Sequence, residues 1–175
     1  MTSNLGKLCQ DRRMAPELEP VLESARNGDV DGVRGALDAG LPVDAGNMKG
    51  MTLLIVAATV GQTAVVKLLL ERGADVEKAN EGGRTPLASA AFGGHVDIIR
   101  MLAKHGAKLN YVDASGRTAL MYAAMFNQPD AAWALADIGA AIQAQDPGGR
   151  TAIQLARAVG SYRVAEVLEG AQTPS

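Results

Sequence analysis

One tripeptide recurs at a fixed interval, and that interval restricts the architecture more than any other feature of the chain. Gly50-Met51-Thr52 returns as Gly83-Arg84-Thr85, Gly116-Arg117-Thr118 and Gly149-Arg150-Thr151, each 33 residues after the one before. Self-similarity at such a period marks a chain built from one supersecondary unit repeated, each unit burying its apolar face against its neighbours. The alanine-rich stretch from Leu87 to Phe92 illustrates the need: alone it could hardly fill a core, and a copy on either side completes it.

Within the frame set by the threonines, apolar residues fall in register. Val65, Val66 and Leu69 correspond to Ile98, Ile99 and Leu102, to Ala131, Ala132 and Leu135, and to Val164, Ala165 and Leu168. The spacing i, i+1, i+4 puts each trio on one helical stripe. Upstream in each unit lie small pairs, Ala57-Ala58, Ala90-Ala91 and Ala123-Ala124, where a bulky side chain would hold adjacent helices apart. Gly73, Gly106 and Gly139 stand just past the second helices, where a left-handed residue ends a helix without a Cβ penalty. Thr85-Pro86 supplies a side-chain cap and a proline whose missing N–H costs nothing at a first turn. These signals predict stacked helix pairs.

The segment GRTPLASAAFGGHVDIIRMLAKHGAKLN, Gly83 to Asn110, resembles the ankyrin-repeat family's G-x-T-P-L-x-x-A-A-x-x-G-H pattern with its second-helix and Gly-Ala lines. The resemblance implies an all-α solenoid of stacked helix-turn-helix units joined by hairpin loops. Five units are expected, at about 15–46, 47–79, 80–112, 113–145 and 146–171, forming a single domain over 15–171. The first lacks the Gly-x-Thr start but keeps Ala25, Gly28, Val33, Leu37 and Gly40 in frame, as an N-terminal capping repeat would. The last ends with its second helix, where Arg163, Glu166 and Glu169 provide the polarity a terminal repeat needs. Residues 1–14 read as a polar leader, either disordered or an added turn on the first cap, and 172–175 as a tail. The sequence departs from the family where a histidine usually precedes the conserved alanine by two residues and bonds the cap threonine. Ile55, Ala88, Met121 and Gln154 stand there, and a weaker network is expected.

Composition narrows the function classes. With 17 basic and 19 acidic side chains the formal charge is −2, so no excess positive field draws nucleic acid or an anionic membrane surface. No stretch approaches the roughly 20 apolar residues that span a bilayer, and the N-terminus lacks a secretory signal pattern, which predicts a cytoplasmic protein. Cys9 is the only cysteine, leaving no intramolecular disulfide and no thiolate metal site. The two histidines have structural explanations: His95 holds the Gly-His helix-start position, and His105 sits in a last turn, where a cation suits the helix dipole. Their separation matches no metal-ligand spacing, and no glycine cluster has the pattern that wraps a phosphate. Asp75, Asp97 and Asp113 recur at repeat positions and read as solvated caps and turns. No catalytic residue, cofactor or metal is expected, and the chain is read as a non-enzyme.

In the architecture the resemblance implies, hairpin tips and first helices line a concave surface, so departures from consensus there mark a partner site. Met48 and Met51 belong to this set in the second unit. Met51, Arg84, Arg117 and Arg150, between the Gly and Thr of successive units, form a row; two readings stay open, a basic ladder for a partner and long stems covering neighbouring apolar surface. Both phenylalanines, Phe92 and Phe126, lie just before the inter-helix turn, with Met125 beside Phe126 and Tyr122 one turn earlier. In a chain only 3% aromatic this clustering favours a binding hot spot over a seal between helix pairs. Trp133 shares a column with Lys67, Arg100 and Glu166, and a ring lying over Arg100 explains it without a partner. The expected function is non-catalytic binding of another protein with an acidic and apolar contact segment, as adaptor, inhibitor or immunity-type subunit, the chain alone being monomeric. The alternative is a structural subunit of a homo-oligomer or larger assembly using the outer face around Trp133. An enzyme with an unrecognised groove site comes last, since no spacing recommends it.

Overall fold

The computed structural model describes residues 17–172, and among these it contains ten helices and no strand. They follow one another as pairs: α1 (Leu18–Asn27) and α2 (Val30–Asp38), α3 (Leu53–Val60) and α4 (Thr63–Glu71), α5 (Pro86–Gly93) and α6 (Val96–Lys104), α7 (Ala119–Met125) and α8 (Pro129–Asp137), α9 (Ala152–Ala158) and α10 (Tyr162–Gln172). The chain is an all-α repeat solenoid. The leader with Cys9 and the final residues 173–175 lie outside the described residues.

The recurring threonine starts four of the five first helices. Thr52, Thr85, Thr118 and Thr151 are extended, and their side chains accept from the backbone N–H groups of Ile55, Ala88, Met121 and Gln154 at 3.2, 3.3, 3.4 and 3.4 Å. The caps survive without the family's histidine. In the fifth unit Gln154 also accepts from Thr151 N–H at 2.9 Å, closing a capping box. Helix α1, which has no Gly-x-Thr, begins at Glu17 with no side-chain cap.

The apolar trios of the second helices are buried, and Val65, Leu69, Ile98, Leu102, Leu135 and Leu168 are wholly inaccessible. Opposite them the alanine pairs of α3, α5 and α7 are equally inaccessible. Along the first four units neighbouring first helices meet more closely than neighbouring second helices do, because alanines separate the former and Leu, Ile and Val side chains the latter. The hairpin tips join directly as well, Glu81 N–H donating to Lys49 C=O and Ala114 N–H to Gly82 C=O, both at 3.1 Å.

A second device ties units together at the inter-helix turns. Gln62 Nε2 donates to Arg26 C=O at 2.8 Å, His95 Nε2 lies 3.2 Å from Thr59 C=O, and Gln128 Nε2 donates to Phe92 C=O at 3.3 Å. Each side chain thus satisfies a carbonyl that the preceding first helix leaves free at its end. It does so by lying against a left-handed glycine: a Cβ on Gly61 (φ +84°) would sit 2.6 Å from His95 Cε1. Asn127 is the only non-glycine with positive φ among the described residues, and the short Ser161 holds the place behind it.

Candidate partner-binding surface

The hairpins leading into the first helices are shaped by one polar column: Asn47, Asn80, Asp113 and Asp146. In each the Oδ1 atom accepts from the N–H four residues on, that of Met51, Arg84, Arg117 and Arg150, at 2.9–3.1 Å. The turn chemistry therefore presents the residue before each cap threonine at the same place in successive units.

The second side-chain atom of the column differs from unit to unit, and with it the state of the neighbouring arginine. Asp146 Oδ2 accepts from Arg150 Nε at 3.1 Å and from Nη2 at 2.9 Å, so Arg150 is ion-paired within its own hairpin. The hydrogen bond from Arg150 N–H, more than the guanidinium beside it, holds the Asp146 carboxyl below the usual aspartate range. Asp113 Oδ2 instead accepts from the Tyr122 hydroxyl at 2.6 Å. Asp113 is buried, not the solvated turn residue expected of it, because the Tyr122 ring and the hairpin amides enclose it. Asn80 carries no charge; its Nδ2 meets the Met51 sulfur at 3.6 Å. Among the described residues neither Arg84 nor Arg117 makes an ion pair, and Arg84 Nε is buried without a hydrogen-bond partner there.

The aromatic residues converge beside these arginines. The Phe92 and Phe126 centroids are 4.3 Å apart at 59°, and the Tyr122 and Phe126 rings stack at 6.4 Å and 16°. The Arg84 guanidinium covers Phe92 at 5.3 Å, a cation–π arrangement. Phe126 remains 45% exposed at the end of α7, while Phe92 and Tyr122 are half-buried. Burial, then the bond to Asp113 and its negative charge, push the Tyr122 phenol up, against the opposing pull of Arg84 and Arg117.

The other expected contact residues are placed differently. Met125 and Met51 are half-buried and pack against the core, so only part of each is available. Met48 stands almost fully in solvent, at 95% exposure, on the hairpin before α3. Val60 and Val159, at the places in their units that Phe126 holds in its own, are also exposed. On the opposite face Arg100 lies over the Trp133 ring at 5.8 Å and pairs with Asp137 at 3.2 Å, the stack its column suggests. A cleft of about 390 Å³ opens beside it, with Leu70 and Met101 among Lys67, Asp97 and Lys104. Among the described residues no group of three His, Cys, Asp or Glu side chains is arranged to hold a metal ion, and no helix is long and apolar enough to cross a membrane.

A family model described as ankyrin repeats (3 copies) matches residues 21–113 and again 77–146. No curated protein matches the chain.

Proposed function

The chain belongs to the ankyrin-repeat family, whose repeats are in general protein–protein interaction modules and typically non-catalytic, and on that premise we propose that it binds one partner protein through the surface formed by its hairpin tips and first helices. The observation that carries this reading is the group Arg84, Phe92, Tyr122 and Phe126. Both phenylalanines of the chain meet there, partly exposed, next to two arginines without carboxylate partners. Apolar rings flanked by unpaired cations suit a partner segment that is both acidic and apolar. Met48, Met51, Arg117 and Met125 extend the contact along the same row, whereas Arg150, its last member, is held by Asp146 in its own hairpin. The surface is held by caps, Asx turns and inter-unit bonds, so little ordering accompanies binding. Function then follows from occupancy: the module blocks, tethers or presents its partner, as adaptor, inhibitor or immunity-type subunit.

The test compares wild type with Arg84→Glu/Arg117→Glu in affinity capture from the native extract, with helical content checked for both. Loss of a specific captured protein with an unchanged circular dichroism spectrum supports the reading; equal recovery counts against it. A second reading, assembly through the outer face, rests on Trp133 being 50% exposed beside the cleft. Solution mass separates the two, because a monomer unaltered by Trp133→Ala removes it.

A further inference from the structure

The hairpins of the fourth and fifth units form an internal comparison. Asp113-Ala114-Ser115-Gly116-Arg117 and Asp146-Pro147-Gly148-Gly149-Arg150 have the same aspartate-to-arginine spacing and the same Oδ1 bonds to the second and fourth N–H groups on, at 2.8 and 2.9 Å in one and 2.9 and 2.9 Å in the other. The glycine before each arginine has φ +74° in both. The free carboxylate oxygen nevertheless takes the arginine in one hairpin and a phenol in the other. The residue responsible lies downstream: Tyr122 in the fourth unit corresponds to Leu155 in the fifth, and leucine has no hydroxyl to offer.

We infer that the Tyr122 hydroxyl, by occupying Asp113 Oδ2, keeps the Arg117 guanidinium free to receive a carboxylate of the partner, and so confines acidic recognition to the third and fourth units. This rests on the partner-binding reading above and names the residue that sets its specificity. Without the phenol, Asp113 Oδ2 and Arg117 would stand in the relation that Asp146 Oδ2 and Arg150 adopt, and the site would lose one of its two unpaired cations. Arg84 keeps its freedom by another route, the neutral Asn80 at the aspartate's place. The fifth unit has neither device and its arginine is silent. Tyr122 is thus a positioning residue acting through Asp113, besides contributing its ring to the aromatic cluster. An acidic peptide segment carrying an apolar side chain is the occupant this charge arrangement fits.

The separating variant is Tyr122→Phe, which keeps the ring and removes the hydroxyl. Asp113→Asn in the same chain is the rescue: an asparagine maintains the hairpin, as Asn47 and Asn80 do, but cannot pair with Arg117. The probe is a short fluorescent peptide alternating Glu with Leu around one Phe, against its Gln-for-Glu counterpart. Wild type should prefer the Glu peptide; Tyr122→Phe and Arg117→Ala should each weaken it about tenfold, and Tyr122→Phe/Asp113→Asn should recover to within about threefold of wild type. In the free protein, the Arg117 Nε–H nuclear magnetic resonance signal should gain protection from water exchange in Tyr122→Phe, as expected for the hydrogen-bonded Arg150 Nε–H of wild type, and lose it in the double variant. An unaltered Arg117 signal in Tyr122→Phe, or wild-type affinity in that variant, overturns the inference, and a continued loss in Arg84→Ala and Phe126→Ala would leave the binding surface standing. A wild type that does not distinguish the two peptides, with no effect of Arg84→Ala, overturns the surface and the inference together.

Discussion

Gly61→Ala strikes the inter-unit bond at its tightest point. Gly61 ends α3 at φ +84°, a conformation that costs an alanine roughly 1–2 kcal/mol. The new Cβ would lie 2.6 Å from His95 Cε1 and 2.7 Å from Nδ1, distances that no packed Cβ tolerates. His95 cannot simply slide aside, because Gly93, on its other flank, lies against it as well. The imidazole must rotate away and give up Thr59 C=O, a loss of about 0.5–1.5 kcal/mol for one net hydrogen bond. Together these give a destabilisation of about 1.5–3.5 kcal/mol. Urea unfolding followed by far-ultraviolet circular dichroism measures it, with Trp133 fluorescence reporting on the fourth unit. At a slope of about 1–3 kcal/mol per molar, the midpoint should fall by about 0.5 M or more. Gly61→Ala/His95→Ala should be less than additive, since the collision needs both partners. A Gly61→Ala cost below about 0.5 kcal/mol, or full additivity with His95→Ala, would refute the account of this bond.

Three further outcomes are expected. Leu102→Ala, at a wholly inaccessible place on α6, should cost about 2–5 kcal/mol in urea unfolding, whereas Trp133→Ala should cost no more than about 1 kcal/mol. Asp146 has a folded pKa below the unfolded value of about 3.9, so its contribution is full above that pH and disappears as pH falls through the folded pKa; the stability gap between wild type and Asp146→Leu should narrow on acidification to about pH 2. Tyr122 has a folded pKa above the unfolded value of about 10, so the unfolded chain ionises first and stability falls as pH rises past about 10; Tyr122→Phe should lack that part of the alkaline loss in thermal melts.

The solenoid was legible because its determinants are local and periodic. The threonine caps, the alanine contacts and the buried trios each depend on residue type at a fixed offset, and all four threonines bond as their spacing implies. The bond between His95 and Thr59 was not legible. Its column reads Gln, His, Gln and Ser, residues alike only in reach and polarity, and its acceptor is a backbone carbonyl that the sequence does not display. The row of Met51 and three arginines could be aligned by period, but not the difference among its members. Arg117 and Arg150 follow an aspartate at the same distance, and what separates them is Tyr122 against Leu155. That signal lay in the 33-residue comparison of one further column. The burial of Asp113 escaped for the same reason, since its enclosure comes from a side chain on the next helix.

The central claim, that the partner sits on the aromatic and arginine cluster of the third and fourth units, is tested most directly by light-activated cross-linking. A benzophenone side chain is placed at position 126 in one protein and at position 133 in another, and both are irradiated in native extract. The account predicts a discrete adduct from position 126, diminished by Arg84→Glu, and none from position 133. An adduct from position 133 alone would contradict it and place the contact on the outer face.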